Sequence, residues 1–447
     1  MKTLRILGCL LGLALALGAQ DQTQIVITGQ VKYNLALPLF NPGPGVPAAV
    51  ASTFDNVLWN DLYQSAVVNL VGRSLYTAPT PAAETDLNNP ALRGAWTAPP
   101  LSIQRLAFGA LQVNQGGLVV DGFLYDVTQP PGAGRLLARR YANPDTPDGA
   151  RAIAHHLADD IIAALGFGPG IASSQIAFIS NRSGHQEVWT MDYDGHSQQQ
   201  RTHLHSIAYS PRISPNGQTL AFMSSVGGQP QIKLLSLLTN RLLRFPAYRG
   251  LAESPAWSPD GSQLAFAANM GGPNMEIYTI HADGTGLHRL TFSHGYDNMS
   301  PAWNPKPPPG SPGQIAFVSS RIGLPQIYTM NADGSDQQRV PLGGYAVSPS
   351  WSPNGLSLAF AWVRGGGGEN SGLSDIYLWY FGDQKYVQLT HNGDRNDFPS
   401  WAPDNRHIVF QSGKQYHTQL FTVAADGSVP TQLTSAGSNE MPNWSWH

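Results

Sequence analysis

The side chains best placed to do chemistry sit around a repeated proline–tryptophan element. Glu253, Asp397 and Glu440 each stand two residues before the proline of a Pro-x-Trp triplet, and Tyr209 holds that position in a divergent copy. Asn298, Asn396 and Asn439 occupy the position just upstream. Arg249, His294, Tyr296, Asp297, Tyr345, Asp394 and Arg395 lie in the segments leading into these elements. Acids, amides and tyrosines gathered on one rim could grip a protein through polar contacts. Three carboxylates could also hold a divalent cation, but Glu253, Asp397 and Glu440 come from separate repeats, so no metal is assigned. A plain set of solvated loops is the competing reading of the same residues.

Covalent chemistry finds less support. A serine hydrolase needs its nucleophile on a sharp strand–helix turn, usually Gly-x-Ser-x-Gly, and the chain has no such pentapeptide. His-Glu-x-x-His, the phosphate loop and the EF-hand spacing are also missing. His203 and His205 could align two imidazoles on one strand face, but no third ligand lies nearby in sequence. His155 and His156 are adjacent on a helix and point apart, so they read as ordinary helix residues. Asp192-x-Asp194-Gly195 reads as a turn. No catalytic residue, metal ligand or cofactor is assigned, and an enzyme is not expected.

The elements that must position the rim are written into a period of 43 to 51 residues. An apolar tripeptide ending in phenylalanine recurs at Phe178, Phe222, Phe266, Phe317 and Phe360, and as Ile408-Val409-Phe410. In most copies a second apolar run, an Asp-Gly turn and a third run follow, and the repeat closes on the Pro-x-Trp element or its variant. Four strands per ~40–50 residues, repeated six times, predict a six-bladed β-propeller over residues 175–447. Trp257, Trp303, Trp351, Trp401 and Trp444 share one register, with Ile213 in the sixth copy. They are expected to pack between blades, so that Trp303→Ala would cost roughly 3–5 kcal/mol. The repeat starts on a phenylalanine strand and ends on the tryptophan element, so residues 441–447 should complete the first blade and close the ring.

Residues 20–168 lack the repeat and predict an α+β domain, a mixed sheet with two helices, joined to the propeller by a linker at 169–174. Strand-like runs fall at Ile25–Thr28, Leu35–Phe40, Ser74–Tyr76, Leu106–Val113, Leu118–Asp126 and Arg135–Tyr141. One helix is expected over Ser52–Val71, and a second from about Asp148, ended by Gly166. Residues 1–19 have the form of a secretory signal peptide: Lys2 and Arg5, then an apolar run over Ile6–Leu17. The single cysteine, Cys9, lies inside it, so the mature chain should carry no disulfide. Charged residues are 12% of the 447, about half the usual share of ~25%. The net charge of −3 argues against a nucleic-acid partner. No later run is long and apolar enough to insert in a bilayer.

Signal peptide, α/β domain, linker and six blades closing on a Ser-Pro-x-Trp-Ser-Pro-Asp-Gly element, clearest at Ser254–Gly261, varied elsewhere and ending on Met441-Pro442-Asn443-Trp444-Ser445, resemble the TolB family, periplasmic propellers of the Tol–Pal envelope system. The resemblance implies a periplasmic, non-enzymatic scaffold for envelope integrity and cell division. It further implies that the propeller binds the peptidoglycan-associated lipoprotein. A TolA-like inner-membrane protein would take the arm Gln20, Asp21, Gln22, Thr23, Gln24 and Ile25. A monomer is expected. The variable first blade and insertions at Lys306–Pro312 and Gly365–Ser371 depart from the pattern. The alternative is an exported propeller holding a glycan or small ligand in its central channel.

Overall fold

The computed structural model describes residues 32–114, 116–363, 373–414 and 417–446. The signal-peptide segment, the arm at 20–25, the run at Ile25–Thr28 and the insertion at 365–371 lie outside the described residues.

The N-terminal sheet comprises β1 (Tyr33–Ala36), β2 (Asn41–Pro42), β3 (Val68–Leu70), β4 (Arg105–Asn114), β5 (Gly117–Asp126) and β6 (Arg135–Pro144). Its order is β3-β1-β4-β5-β6, with β2 also on β4; β1 pairs in parallel with β3 and β4, and β4-β5-β6 is an antiparallel meander. Helices α1 (Ala48–Gln64) and α3 (Pro147–Ala164) pack together on one face. Phe54, Leu58, Leu62, Ile153, Leu157 and Ile161 form one apolar layer there, as the 3.6-residue period demands. Thr146 caps α3 by accepting from Gly149 N at 3.1 Å, and Gly166 ends it at φ +83°.

Three expectations need correction. The first helix stops at Gln64, not Val71, because Ala66 turns to φ +59° and Val68–Leu70 joins the sheet. Residues Arg73–Leu75 form a 3₁₀ turn rather than a strand. A third helix, α2 (Pro90–Thr97), was not expected. It starts with proline at its first position after Asn89, whose side chain accepts from Ala91 N at 2.9 Å, and buries Trp96 against the other face of the sheet.

Six four-stranded antiparallel sheets follow. Their inner strands are Ala208–Ile213 (blade 2), Ala252–Trp257 (blade 3), Asn298–Trp303 (blade 4), Tyr345–Trp351 (blade 5), Arg395–Trp401 (blade 6) and Asn439–Trp444 (blade 1). The last of these pairs with Gln175–Ser180, so blade 1 combines the C-terminal strand with three strands from the start of the propeller. The second strand of every blade is buried on both faces; all six phenylalanines are 0–1% exposed. Each inner strand carries a register slip beside one left-handed residue: Ser210, Ser254, Ser300, Ser348, Phe398 and Met441, all between φ +49° and +55°.

Tryptophans tie neighbouring blades: Trp257 Nε1 donates to Arg212 O at 3.1 Å and Trp351 Nε1 to Ala302 O at 3.2 Å. Trp444 is 2% exposed and donates to Ser174 Oγ at 2.7 Å. Residues 169–174 are not a loose tether. Asp159 of α3 accepts from Ala172 N and Ser173 N at 2.8 and 2.9 Å, and Ile171 and Ala172 are buried.

Candidate functional site

The propeller has two unlike ends. At the end where inner strands finish on tryptophan, the N-terminal domain covers blades 6 and 1. Ala402, Val409, Leu420, Ile176, Phe178 and Met191 share one core with α1 and α3, and Arg406 Nη1 donates to Phe167 O at 2.8 Å. The opposite end carries the loops that enter the inner strands, which is where the rim residues lie.

Not every predicted rim residue is available there. Asn298, Asn396 and Asn439 are 1%, 0% and 0% exposed and bind inward. Asn298 Nδ2 donates to Glu276 at 2.9 Å, Asn396 Nδ2 to Asp375 at 3.2 Å, and Asn439 Nδ2 to Gln419 at 2.8 Å. Each thereby links an inner strand to the third strand of the preceding blade. A buried amide with its bonds filled inside the fold cannot meet a partner, so these three leave the binding set. Asp397 leaves it too. It is 4% exposed, accepts from Ser348 Oγ of blade 5 at 2.8 Å and from Phe398 N at 2.7 Å, and burial raises its pKa despite these bonds and nearby Arg395.

The remaining residues do face the loops. Arg249, His294 and Arg395 are exposed; Tyr209, Glu253, Tyr296, Asp297, Tyr345, Asp394 and Glu440 are half-buried. Asp297 is partly occupied, accepting from Met275 N at 2.8 Å, and Glu440 accepts from Ser438 Oγ at 3.2 Å. Arg321 lies 5.4 Å from the Tyr296 ring and 4.3 Å from that of Tyr328, which holds Tyr296 in place. Glu253 makes no side-chain hydrogen bond or ion pair among the described residues. Its burial, and then the charge of Asp297, push its pKa above the ordinary value.

The His203–His205 pair does not align on a strand, since these residues lie in the loop between blades; His205 instead meets His185 edge to face at 5.4 Å. Among the described residues, Glu253, Asp397 and Glu440 do not converge within ligand reach. The cluster that does is His155, Asp192 and Asp194. Arg151 bonds to both carboxylates, at 3.3 Å to Asp192, so a guanidinium already supplies the positive charge there.

Two networks escaped the sequence reading. His155 and His156 are not equivalent: His156 is exposed, whereas His155 is 5% exposed and bonds to Asp61 Oδ2 at 2.8 Å. Tyr193 of blade 1 donates to Asp61 Oδ1 at 2.8 Å, so the two domains meet on one buried carboxylate. The signal was there, because adjacent helix positions lie ~100° apart and one of the pair had to face inward. The second network recurs between blades. Glu187 and Thr202, Glu276 and Thr291, Asp375 and Thr390, and Gln419 and Thr434 are each bonded pairs fifteen residues apart. Glu276 is the fullest case, accepting from Ser293 N and Oγ at 2.6 Å, Thr291 Oγ1 at 2.5 Å, Asn298 Nδ2 at 2.9 Å and Arg289 at 2.8 Å. Burial raises its pKa, but these donors outweigh it and hold the carboxyl below its ordinary value. Glu276→Gln should cost about 1–2 kcal/mol in urea unfolding at pH 7, because an amide NH₂ would face donors. No loss would show that the network is slack.

Known proteins bear on the same regions. A family model described as the TolB beta propeller domain matches residues 165–447. A TolB homolog from Chlorobium luteolum is 28% identical over 312 residues, 70% of this chain and 66% of that protein. A second, from Chlorobium chlorochromatii, is 34% identical over 224 residues, 48% of this chain and 46% of its own length. The aligned stretches thus span between about half and two thirds of these curated relatives. The crystal structure of TolB from Acinetobacter baumannii shares the fold at a TM-score of 0.74 and 23% identity, covering 93% of this chain and 96% of that one. With the family model matched over more than half of the chain, through all six blades, the protein belongs to the TolB β-propeller family.

Proposed function

We propose that the protein is a periplasmic, non-enzymatic scaffold of a Tol–Pal envelope system that binds the peptidoglycan-associated lipoprotein on the loop rim of its propeller. A TolB relative from Geobacter metallireducens carries the name Tol-Pal system protein, at 36% identity over 154 residues, which supports the assignment of the system. The rim at the end away from the N-terminal domain carries the proposal. It combines exposed Arg249, His294 and Arg395, the braced ring of Tyr296 and the half-buried carboxylate of Glu253, a mixture suited to a polar protein contact. In this reading the protein acts as a monomer in envelope integrity and division. Residues 20–25 serve a TolA-like inner-membrane protein. No helix among the described residues is long and apolar enough to cross a membrane.

Arg249→Ala combined with Tyr296→Ala should weaken binding of the lipoprotein by about tenfold or more in calorimetry, since arginine and tyrosine dominate such contacts. Unchanged affinity in a variant that melts like the parent would refute the rim.

A further inference from the structure

The tryptophan end of the channel has a character of its own. A cavity of about 400 Å³ runs along the axis there, near the lower end of the ~300–1,000 Å³ usual for small-molecule sites. All five register tryptophans and Trp446 line it. Its charged lining consists of Arg212 and Lys306, and no aspartate or glutamate lines it among the described residues.

Arg212 is where the sixfold repeat is broken. The same register holds Ala256, Ala302, Ser350, Ser400 and Asn443 in the other blades, as pairing with the second strand shows. Five short side chains leave room on the axis, and one long cation enters it. The polar members of this set are committed to structure: Ser350 Oγ accepts from Trp401 N at 3.3 Å, Ser400 Oγ from Trp444 N at 3.0 Å, and Asn443 Oδ1 from Ile213 N at 2.8 Å. Arg212 has no such task. Its hydrogen bond runs from Nη1 to the adjoining Pro211 O at 2.8 Å, and it makes no ion pair within 4.0 Å among the described residues. A half-buried guanidinium without a carboxylate retains most of its donors for a visitor.

We propose that this end of the channel is a binding site for a small ring-bearing oxyanion, a carboxylate or phosphate carried on a sugar-sized ring. Arg212 would clamp the charged group, Lys306 would attract it at the wall, and half-buried Trp257 and Trp303 with exposed Trp446 would offer surface to the ring. Burial brings the Arg212 pKa down to about 10, so the group remains a cation at neutral pH. The acids Glu253 and Glu440 stand three residues back along their strands from this register, ~10 Å towards the rim. The channel is therefore polar along its length, and an anion should settle at the tryptophan end.

The site is independent of the rim, so its test does not depend on any protein partner. Glucuronate, glucose 6-phosphate, inorganic phosphate and glucose are titrated into the full chain by calorimetry, with tryptophan fluorescence as a second signal. Both ring anions should bind more tightly than glucose or inorganic phosphate and should perturb the fluorescence. Arg212→Gln should weaken them about tenfold or more, Arg212→Lys less, and Lys385→Gln, on the exposed outer strand of blade 5, not at all. Iodide should also quench the parent more than caesium does, and Arg212→Gln with Lys306→Gln should reduce that preference, which checks the sign of the field without any ligand. Glucose binding as tightly as glucuronate, inorganic phosphate matching the ring anions, no binding by about 10 mM, or an unmoved affinity in a folded Arg212→Gln variant would each overturn the proposal.

Discussion

Trp444→Ala should lower the unfolding free energy by about 3–5 kcal/mol and do so for the whole propeller at once. Three losses coincide at this residue. A fully buried indole vanishes, leaving a cavity in the core shared by both domains. Ser174 Oγ loses the donor that ties the chain entering the propeller to the chain leaving it. The strand Asn439–Trp444 then holds Gln175–Ser180 by backbone pairing and fewer side-chain contacts. Urea unfolding followed separately by far-ultraviolet dichroism and tryptophan emission should give coincident transitions at a lower midpoint. Trp303→Ala is the internal comparison. Trp303 is half-buried and its Nε1 has no acceptor among the described residues, so its loss should fall below that at 444. An equal or larger loss at 303 would mean that ring closure is not where the stability is concentrated.

His155→Ala should cost a further class of stability, about 3–5 kcal/mol, because it strands the Asp61 carboxylate inside the domain interface. Its pH dependence is distinctive. Burial pulls the His155 imidazole down, but the hydrogen bond and charge of Asp61 outweigh it, and the net shift is upward. Burial also raises Asp61, against the bonds from His155 and Tyr193. Arg151 opposes charge on His155, Asp194 favours it, Asp192 stands within ligand reach of it, and Asp159 and Tyr193 complete the surroundings. A group with a raised folded pKa holds its proton more tightly when folded. Its stabilising effect is therefore complete below the ordinary histidine range near ~6.5, and is lost as pH rises through the higher folded value. The parent should lose stability as pH rises above the ordinary histidine range, and His155→Gln, which cannot titrate, should show a flatter profile there. A parent profile that rises over that window would reverse the assignment.

Much of the architecture was legible because its cause is local. Phenylalanine and tryptophan at fixed spacing demand burial on both faces of short strands, and Asp-Gly turns separate them, so blade number and ring closure could be read from residues alone. The N-terminal helix over-ran because Ala66 and Leu70 continue the helical period by coincidence, while the left-handed turn at Ala66 breaks it. Helix α2 is eight residues long, too short for periodicity to announce it. The rim was only partly legible for a different reason. Whether Asn298 or Glu253 meets solvent is decided by the preceding or following blade, more than twenty residues away, and type alone does not separate them. Ile213 was visible as the gap in the tryptophan series, but the neighbouring Arg212 gave no signal of its own until the cavity beside it was seen.

The left-handed residue in each inner strand has one more implication. The left-handed conformation costs any non-glycine residue about 1–3 kcal/mol; blades 2 to 5 place serine there, whereas blades 6 and 1 place the bulkier Phe398 and Met441. These are the same two blades that the N-terminal domain straddles. The appended domain thus spans the sector in which the left-handed position is filled by a bulky side chain, and acts as a clasp across it. Because its apolar core runs on into that of these two blades, the second domain braces the ring from outside at the joint where the chain begins and ends its circuit.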